Sequence, residues 1–126
     1  MKTMLFMTLC KKWDIILVPF PFTDLSETKK RPALIISPDK YNLGDDVVIL
    51  FVTSHVTKVR NTGDYIIQHW KESGLPKPSL IKMKFATIDK NIIIKGLGTL
   101  HFIDRSPLEK IILEFFGTEL ETTKTF

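Results

Sequence analysis

Short apolar runs separated by turn-forming residues follow one another along the chain, at intervals too short for strands that alternate with long helices. The longest run, residues 45–54, has a continuous apolar centre, which is typical of a strand buried on both faces, and it is predicted as the central strand. A last strand is expected to bend or bulge at Gly96 and Gly98. The predicted strands are residues 15–18, 32–37, 45–54, 64–68, 79–85 and 92–100.

Alternation within the fifth run predicts which side chains share a face. Ile81, Met83 and Phe85 fall on one side of the strand, so Lys82 and Lys84 fall together on the opposite, solvated side. A pair of lysines on one strand face is a candidate contact for phosphate groups, although a solvated basic face has the same pattern.

One segment near the C-terminus has helical periodicity instead. Ser106, Pro107 and Glu109 occupy the positions of an N-cap, a first helical residue and a capping-box glutamate, so a helix is predicted to begin there and to end at Gly117. Its apolar positions have the spacing of one helix face: Leu108, Ile111, Ile112 and Phe115. The predicted fold is therefore α+β, a small sheet of twisted antiparallel strands curled into a partial barrel, with one C-terminal helix.

Composition limits the class of protein. A chain of 126 residues with 44% hydrophobic content is the size of a single domain with its own core. Charged residues make up 25% of the chain, and no apolar run approaches the roughly 18 residues of a membrane span. The lone Cys10 excludes an internal disulfide, and with three histidines it does not form a Cys/His zinc site of the usual spacing.

The N-terminal segment and the net charge are less informative. Residues 4–10 are apolar, but Lys11, Lys12 and Trp13 follow without a small-residue cleavage site, so residues 1–12 are predicted to be a short N-terminal extension of a cytoplasmic protein rather than a signal peptide. A net charge of +4 favours contact with polyanions, but many basic proteins bind no nucleic acid.

Four sequence pieces, in order, resemble the MazF/PemK toxins. They are WDIILVPFPF at residues 13–22, KRPALII at 30–36, VTS at 52–54, and PSLI at 78–81 with ATID at 86–89. Each piece alone is weak, but together they cover the chain from about Trp13 to Phe116. The expected domain is therefore residues 13–117, with residues 118–126 as a polar C-terminal tail.

The resemblance implies a fold and an activity. The implied fold is an SH3-like barrel, usually in a homodimer. The implied activity is cleavage of single-stranded messenger RNA at short sequences, and an antitoxin protein silences it. No metal or other cofactor is implied. In that family the arginine of the Arg-Pro strand start and the threonine of the Thr-Ser pair are catalytic, and these match Arg31 and Thr53.

The chemistry of RNA cleavage suits these residue types. Attack by the 2′-OH needs one proton taken and one given, and it builds negative charge on the phosphate. Arg31 presents a rigid fork of donors to that charge, and Thr53 can add a hydroxyl hydrogen bond. The proton acceptor stays open because arginine is essentially always protonated; His55 is a further candidate, although it matches no catalytic position of the family. RNA contacts are expected from Phe22, Lys30, Ser54, Ser79 and Lys82.

The sequence departs from the family pattern at two places, and it leaves open other roles for Arg31 and other functions for the barrel. Only lysines stand on the strand of Lys82 and Lys84, where relatives place an acidic group, and Trp13 replaces the glycine usual before Asp14. Arg31 could instead be a surface residue paired with Asp24 or Glu27. The same barrel is also used by CcdB-like proteins that bind gyrase, and a barrel that only binds nucleic acid is a third possibility.

Overall fold

In the computed structural model, the described residues are 10–20, 29–56 and 60–117. They form strands β1 (Asp14–Phe20), β2 (Lys29–Ile35), β3 (Asp46–Thr53), β4 (Tyr65–Ile66), β5 (Leu80–Asp89) and β6 (Lys95–Thr99), and helix α1 (Phe102–Phe115). Two short 3-10 helices, Tyr41–Leu43 and Lys90–Ile92, lie between strands.

The described strands form one sheet in the order β4-β5-β3-β2-β1-β6, and all neighbouring pairs are antiparallel. β3 lies inside the sheet, between β5 and β2, as its continuous apolar run predicted. With its strands curled into a half barrel and one C-terminal helix, the protein has the predicted α+β class.

Two hydrophobic clusters cover the two faces of this sheet. The first contains Ile15, Leu34, Leu50 and Ile81 and is completed by Leu108 of α1. The second, on the other face, contains Ile16, Val18, Ala33, Ile35, Val47, Ile49 and Ile88. Alternate residues of β3 enter different clusters, which confirms that this strand is buried on both faces.

Helix α1 begins five residues earlier than predicted, at Phe102 instead of Pro107. His101 is the N-cap, and its Nδ1 accepts a hydrogen bond from the Ile103 N–H at 3.2 Å. Asp104 in the first turn is fully buried, and its carboxylate accepts hydrogen bonds from the Tyr65 hydroxyl and from the backbone N–H groups of Gln68 and His69. These contacts to the β4 region start the helix before the local cap signal at Ser106. Pro107 therefore lies inside the helix, and the prediction that it is the first helical residue is wrong.

Two of the strand pairs contain irregularities in their register. In the β1–β6 pair, Ile15 faces Gly98 and Ile16 faces Gly96, so Leu97 is an extra residue and the bulge predicted at the glycines is confirmed. In the β3–β5 pair, Leu50 faces Phe85 and Val52 faces Ile81. Three residues of β5, 82–84, thus lie opposite the single residue Phe51.

Within residues 10–20, 29–56 and 60–117, no helix is both long and apolar enough to cross a bilayer.

Candidate functional site

An open groove of about 300 Å³ lies at one end of the sheet face that carries the second cluster. Because side chains alternate along each strand, the residues that continue this face beyond the apolar cluster are Phe20 on β1, Arg31 on β2, Phe51 and Thr53 on β3, and Lys82 and Lys84 on β5. Val52 and His55 complete the lining of the groove. The sheet thus holds aromatic, hydroxyl and cationic groups together on a rigid support.

Arg31 is partly buried, with its guanidinium carbon 5.6 Å from the centroid of the Phe20 ring. Its Nε is buried, and no described residue accepts a hydrogen bond from it. A buried donor without an acceptor costs about 1–3 kcal/mol, so an anionic ligand that supplied the acceptor would offset that cost. Pairing of Arg31 with Asp24 or Glu27 lies outside the described residues.

Thr53 is the last residue of β3, and its side chain is fixed by the turn that follows. The backbone N–H of His55 donates a hydrogen bond to Thr53 Oγ1 at 3.1 Å. Since Oγ1 acts as the acceptor in that bond, the Thr53 hydroxyl keeps its own hydrogen to donate to a ligand. The same turn carries the exposed His55 side chain to the groove, whereas Ser54 is exposed and does not line it.

Lys82 and Lys84 reach the groove from the irregular part of β5, where residues 82–84 lie opposite Phe51. Lys82 Nζ lies 3.0 Å from Asp64 Oδ2, and the carboxylate also accepts a hydrogen bond from the Asn61 N–H at 2.9 Å. Only lysines were predicted in this region from the sequence. Asp64 was not predicted because the acid comes from the segment before β4 and not from β5 itself.

The other predicted RNA contacts are not brought together in the groove. Lys30 is exposed on β2 and alternates with Arg31, so it does not line the groove. Ser79 is buried, and its hydroxyl donates to the Lys77 carbonyl oxygen at 2.8 Å. Phe22 lies outside the described residues. Of the predicted set, the groove therefore contains Arg31, Thr53 and Lys82, with His55 and Lys84 beside them.

The charge of the groove has one sign. Among its described lining residues, Arg31, Lys82 and Lys84 carry positive charge, and no lining residue is an aspartate or a glutamate. The described residues also contain no cluster of three or more His, Cys, Asp or Glu side chains placed to hold a metal ion. A cationic groove with aromatic rings and a hydroxyl donor can bind a phosphate and stack or pack against a neighbouring base.

The sequence matches a protein-family model over most of its length. The model describes the PemK-like, MazF-like toxin of type II toxin-antitoxin systems and matches residues 11–116. No curated sequence matches the chain.

Solved structures resemble the chain in fold. An endoribonuclease from a mycobacterial species, in complex with its cognate antitoxin, superposes with a TM-score of 0.68 at 16% identity, over 86% of this chain and 96% of that one. The MazE–MazF complex from Deinococcus radiodurans gives 0.69 at 15% identity, with 86% and 96% covered. The toxin MazF-mt6 of Mycobacterium tuberculosis gives 0.57 at 18% identity, again with 86% and 96% covered. At these identities the likeness establishes the fold.

Proposed function

Because the chain belongs to the family of PemK-like and MazF-like toxins of type II toxin-antitoxin systems, we propose that it is a sequence-specific endoribonuclease that cleaves single-stranded messenger RNA without a metal ion. The observation that carries the proposal is the meeting of the Arg31 guanidinium and the Thr53 hydroxyl in one cationic groove. The solved endoribonuclease and MazF structures described above share this fold.

The proposed reaction is a transesterification within the RNA. The 2′-oxygen forms a bond to phosphorus, the bond from phosphorus to the 5′-oxygen breaks, and the 3′ end is left as a 2′,3′-cyclic phosphate. Arg31 stabilises the charge on the phosphate oxygens, and its Nε, which bonds to none of the described residues, is one donor. The Thr53 hydroxyl donates a hydrogen bond to the same phosphate group.

Two protons must move in this reaction, from the 2′-oxygen and to the departing 5′-oxygen. A guanidinium does not lose its proton in proteins, which makes Arg31 a poor base. Among the described lining residues, His55 has the imidazole ring, a group that can both accept and donate a proton. We propose that His55 accepts the proton from the 2′-oxygen and that solvent supplies the proton to the departing 5′-oxygen, while Arg31 and Thr53 bind the phosphate.

The proposal extends to partners and place of action. Two of the solved relatives are complexes with an antitoxin, MazE in one case, and we propose that this chain likewise acts as a homodimer silenced by a cognate antitoxin in the cytoplasm. The domain proposed to do so is residues 13–117. Cys10, just before it, is buried in the second cluster. The family match does not favour the alternatives of a gyrase-binding or purely nucleic-acid-binding barrel.

The test is cleavage of a long single-stranded RNA in EDTA, with the ends mapped by sequencing. Wild type should cut at discrete sites and leave 2′,3′-cyclic phosphates. Loss of one donor to the developing charge costs about 10²–10³ in rate, so Arg31→Ala should cut at least that much more slowly. Lys40→Ala removes one positive charge from an exposed position outside the groove and is the matched control. Intact RNA with folded wild type would overturn the proposal.

A further inference from the structure

The pair of Asp64 and Lys82 joins the edge of the sheet to the groove. β4 is only two residues long, but Tyr65 faces Ile81 and Ile66 faces Leu80. This antiparallel register continues one step outward and brings Asp64 opposite Lys82, where the ammonium and the carboxylate lie 3.0 Å apart. The contact is therefore set by strand pairing and not by two surface side chains that meet by chance.

The two partners differ in exposure. The Asp64 side chain is 1% exposed, whereas the Lys82 side chain is 25% exposed and lines the groove. The Asn61 N–H donates to the same carboxylate oxygen, which fixes the acid in place. A buried carboxylate that is ionised needs such partners, so it holds the lysine head at one position.

Lys84 provides the contrast on the same strand. It also lines the groove, but it is exposed and makes no ion pair among the residues that the structure describes. Beside Arg31, the groove thus contains one lysine tethered by a carboxylate and one that is not. An ammonium has three donors, so Lys82 keeps two for a ligand after it has bonded Asp64.

We infer that Asp64 is a positioning residue, which holds the Lys82 ammonium where it contacts a phosphate of the bound RNA. The inference rests on the proposed function and deepens it, since it names a residue that acts on RNA only through Lys82. Asp64 also offsets part of the positive charge of the groove. The tether therefore improves the placement of Lys82 and weakens the general attraction for RNA.

These two effects predict a slower turnover together with a tighter apparent binding of RNA when the charge of Asp64 is removed. Asp64→Asn keeps the size of the side chain and an oxygen that can accept from Asn61. A misplaced contact should lower kcat about tenfold. The extra net positive charge should lower KM about two- to fivefold at low salt, and this gain should vanish at high salt. A residue that only stabilises the fold would give no such split.

Double variants show whether Asp64 acts through Lys82. In a Lys82→Gln background, Asp64→Asn should change kcat by less than about twofold, because the tethered group is gone. In a Lys84→Gln background, it should lower kcat by the same tenfold as in wild type. Equal effects in both backgrounds, or no effect of Asp64→Asn alone, would overturn the inference. Thermal unfolding of each variant identifies loss of folded protein.

RNA binding separates this inference from the proposed function. If wild type binds RNA but does not cut it, the proposed activity fails, and the positioning is then read from binding of a single-stranded oligonucleotide. Lys82→Gln should reduce the salt slope of binding by about 0.7, the value for one lost phosphate contact on a single strand. In that background Asp64→Asn should not change the slope further. A slope that Lys82→Gln leaves unchanged would overturn the role given to the pair.

Discussion

At the scale of single residues, Trp13 has a backbone conformation that glycine favours. Its φ is +80°, while its N–H donates to the Ile35 carbonyl oxygen and its own carbonyl accepts from Leu100. The family resemblance implies glycine before Asp14, so the sequence indicated an altered entry to β1. The indole packs beside the first cluster, so packing compensates for backbone strain at this position.

The left-handed backbone at Trp13 predicts an unusual order of stability for two variants. Glycine is normally about 0.5–1 kcal/mol less stabilising than alanine, but a left-handed conformation costs an L-residue about 1–2 kcal/mol. Both Trp13→Gly and Trp13→Ala lose the indole, and we expect the glycine variant to be the more stable by about 1 kcal/mol. Urea unfolding of the two proteins measures the difference. An alanine variant of equal or greater stability would contradict the strain.

The candidate site was predictable from sequence only where one segment carried the information. Arg31 and Thr53 were predicted from short motifs, and alternation along β5 predicted that Lys82 and Lys84 share a face, the one that lines the groove. Asp64 was missed because its role depends on the pairing of β4 with β5, which no local pattern specifies. Ser79 was expected to contact RNA, but its hydroxyl is buried against Lys77; the role of each residue in cleavage stays a prediction.

At the scale of elements, the bulge of β6 is packed against the turn at residues 73–74. A Cβ on Gly98 would lie 2.3 Å from the Ser73 carbonyl oxygen. Because that atom belongs to the backbone, a side chain is accommodated only if the turn moves. Gly98 therefore serves both the bulge and this close contact, although the sequence indicated only the bulge.

Gly98→Ala should therefore lower the free energy of unfolding by about 1–3 kcal/mol, the usual cost of overpacking. Gly44→Ala is the control, because its φ is −80° and the nearest atom to an added Cβ is at 3.5 Å. That variant should be neutral or slightly stabilising. Thermal or denaturant unfolding compares the two, and equal stability of Gly98→Ala and wild type would show that the turn yields without cost.

A buried hydrogen bond connects β4 to α1 and should make stability depend on alkaline pH. The Tyr65 hydroxyl donates to Asp104 Oδ1 at 2.6 Å, and burial first, then this bond, raises the pKa of Tyr65 above its ordinary value of 10.0. A raised pKa means that the unfolded chain loses the proton first. The stabilisation is complete below about pH 10 and is lost as pH rises toward the folded pKa.

The variant that tests this is Tyr65→Phe. It should be less stable than wild type by about 1–3 kcal/mol at pH 8, since Asp104 loses a buried donor. The difference should shrink steadily above about pH 10, because only wild type has the Tyr65 proton to lose. Unfolding in urea at a series of pH values measures it. A difference that is constant with pH would exclude the coupling.

The elements that sequence predicted well are those fixed by local apolar patterns. β3 was recognised because its run is apolar on both faces, and the β6 bulge because glycine marks it. The start of α1 was wrong because Ser106 and Pro107 give a valid local signal, while His101 and Asp104 begin the helix through contacts with residues 65–69. Contacts between distant segments are not encoded in local spacing.

At the scale of the whole molecule, one sheet face is divided into an apolar part and a cationic part. The apolar part is the second cluster, and the groove with Arg31, Lys82 and Lys84 continues it along the same strands. The net charge of +4 alone did not predict where a polyanion would bind. The fold concentrates the charge at one end of a rigid support, where a flexible single strand can follow it.

This concentration of charge predicts that RNA and the antitoxin exclude each other. An antitoxin that silences cleavage through the groove must contact the same three cations as an RNA phosphate, and a groove of about 300 Å³ does not hold both ligands at once.

Loading the protein with a 2′-O-methyl RNA, which cannot attack its own phosphate, at ten times its Kd should weaken antitoxin binding about tenfold. Arg31→Ala should reduce this competition because it weakens RNA binding. Titration of labelled antitoxin with and without the RNA measures both effects, and a complex that holds the antitoxin and still cuts RNA would mean that silencing occurs at a different surface.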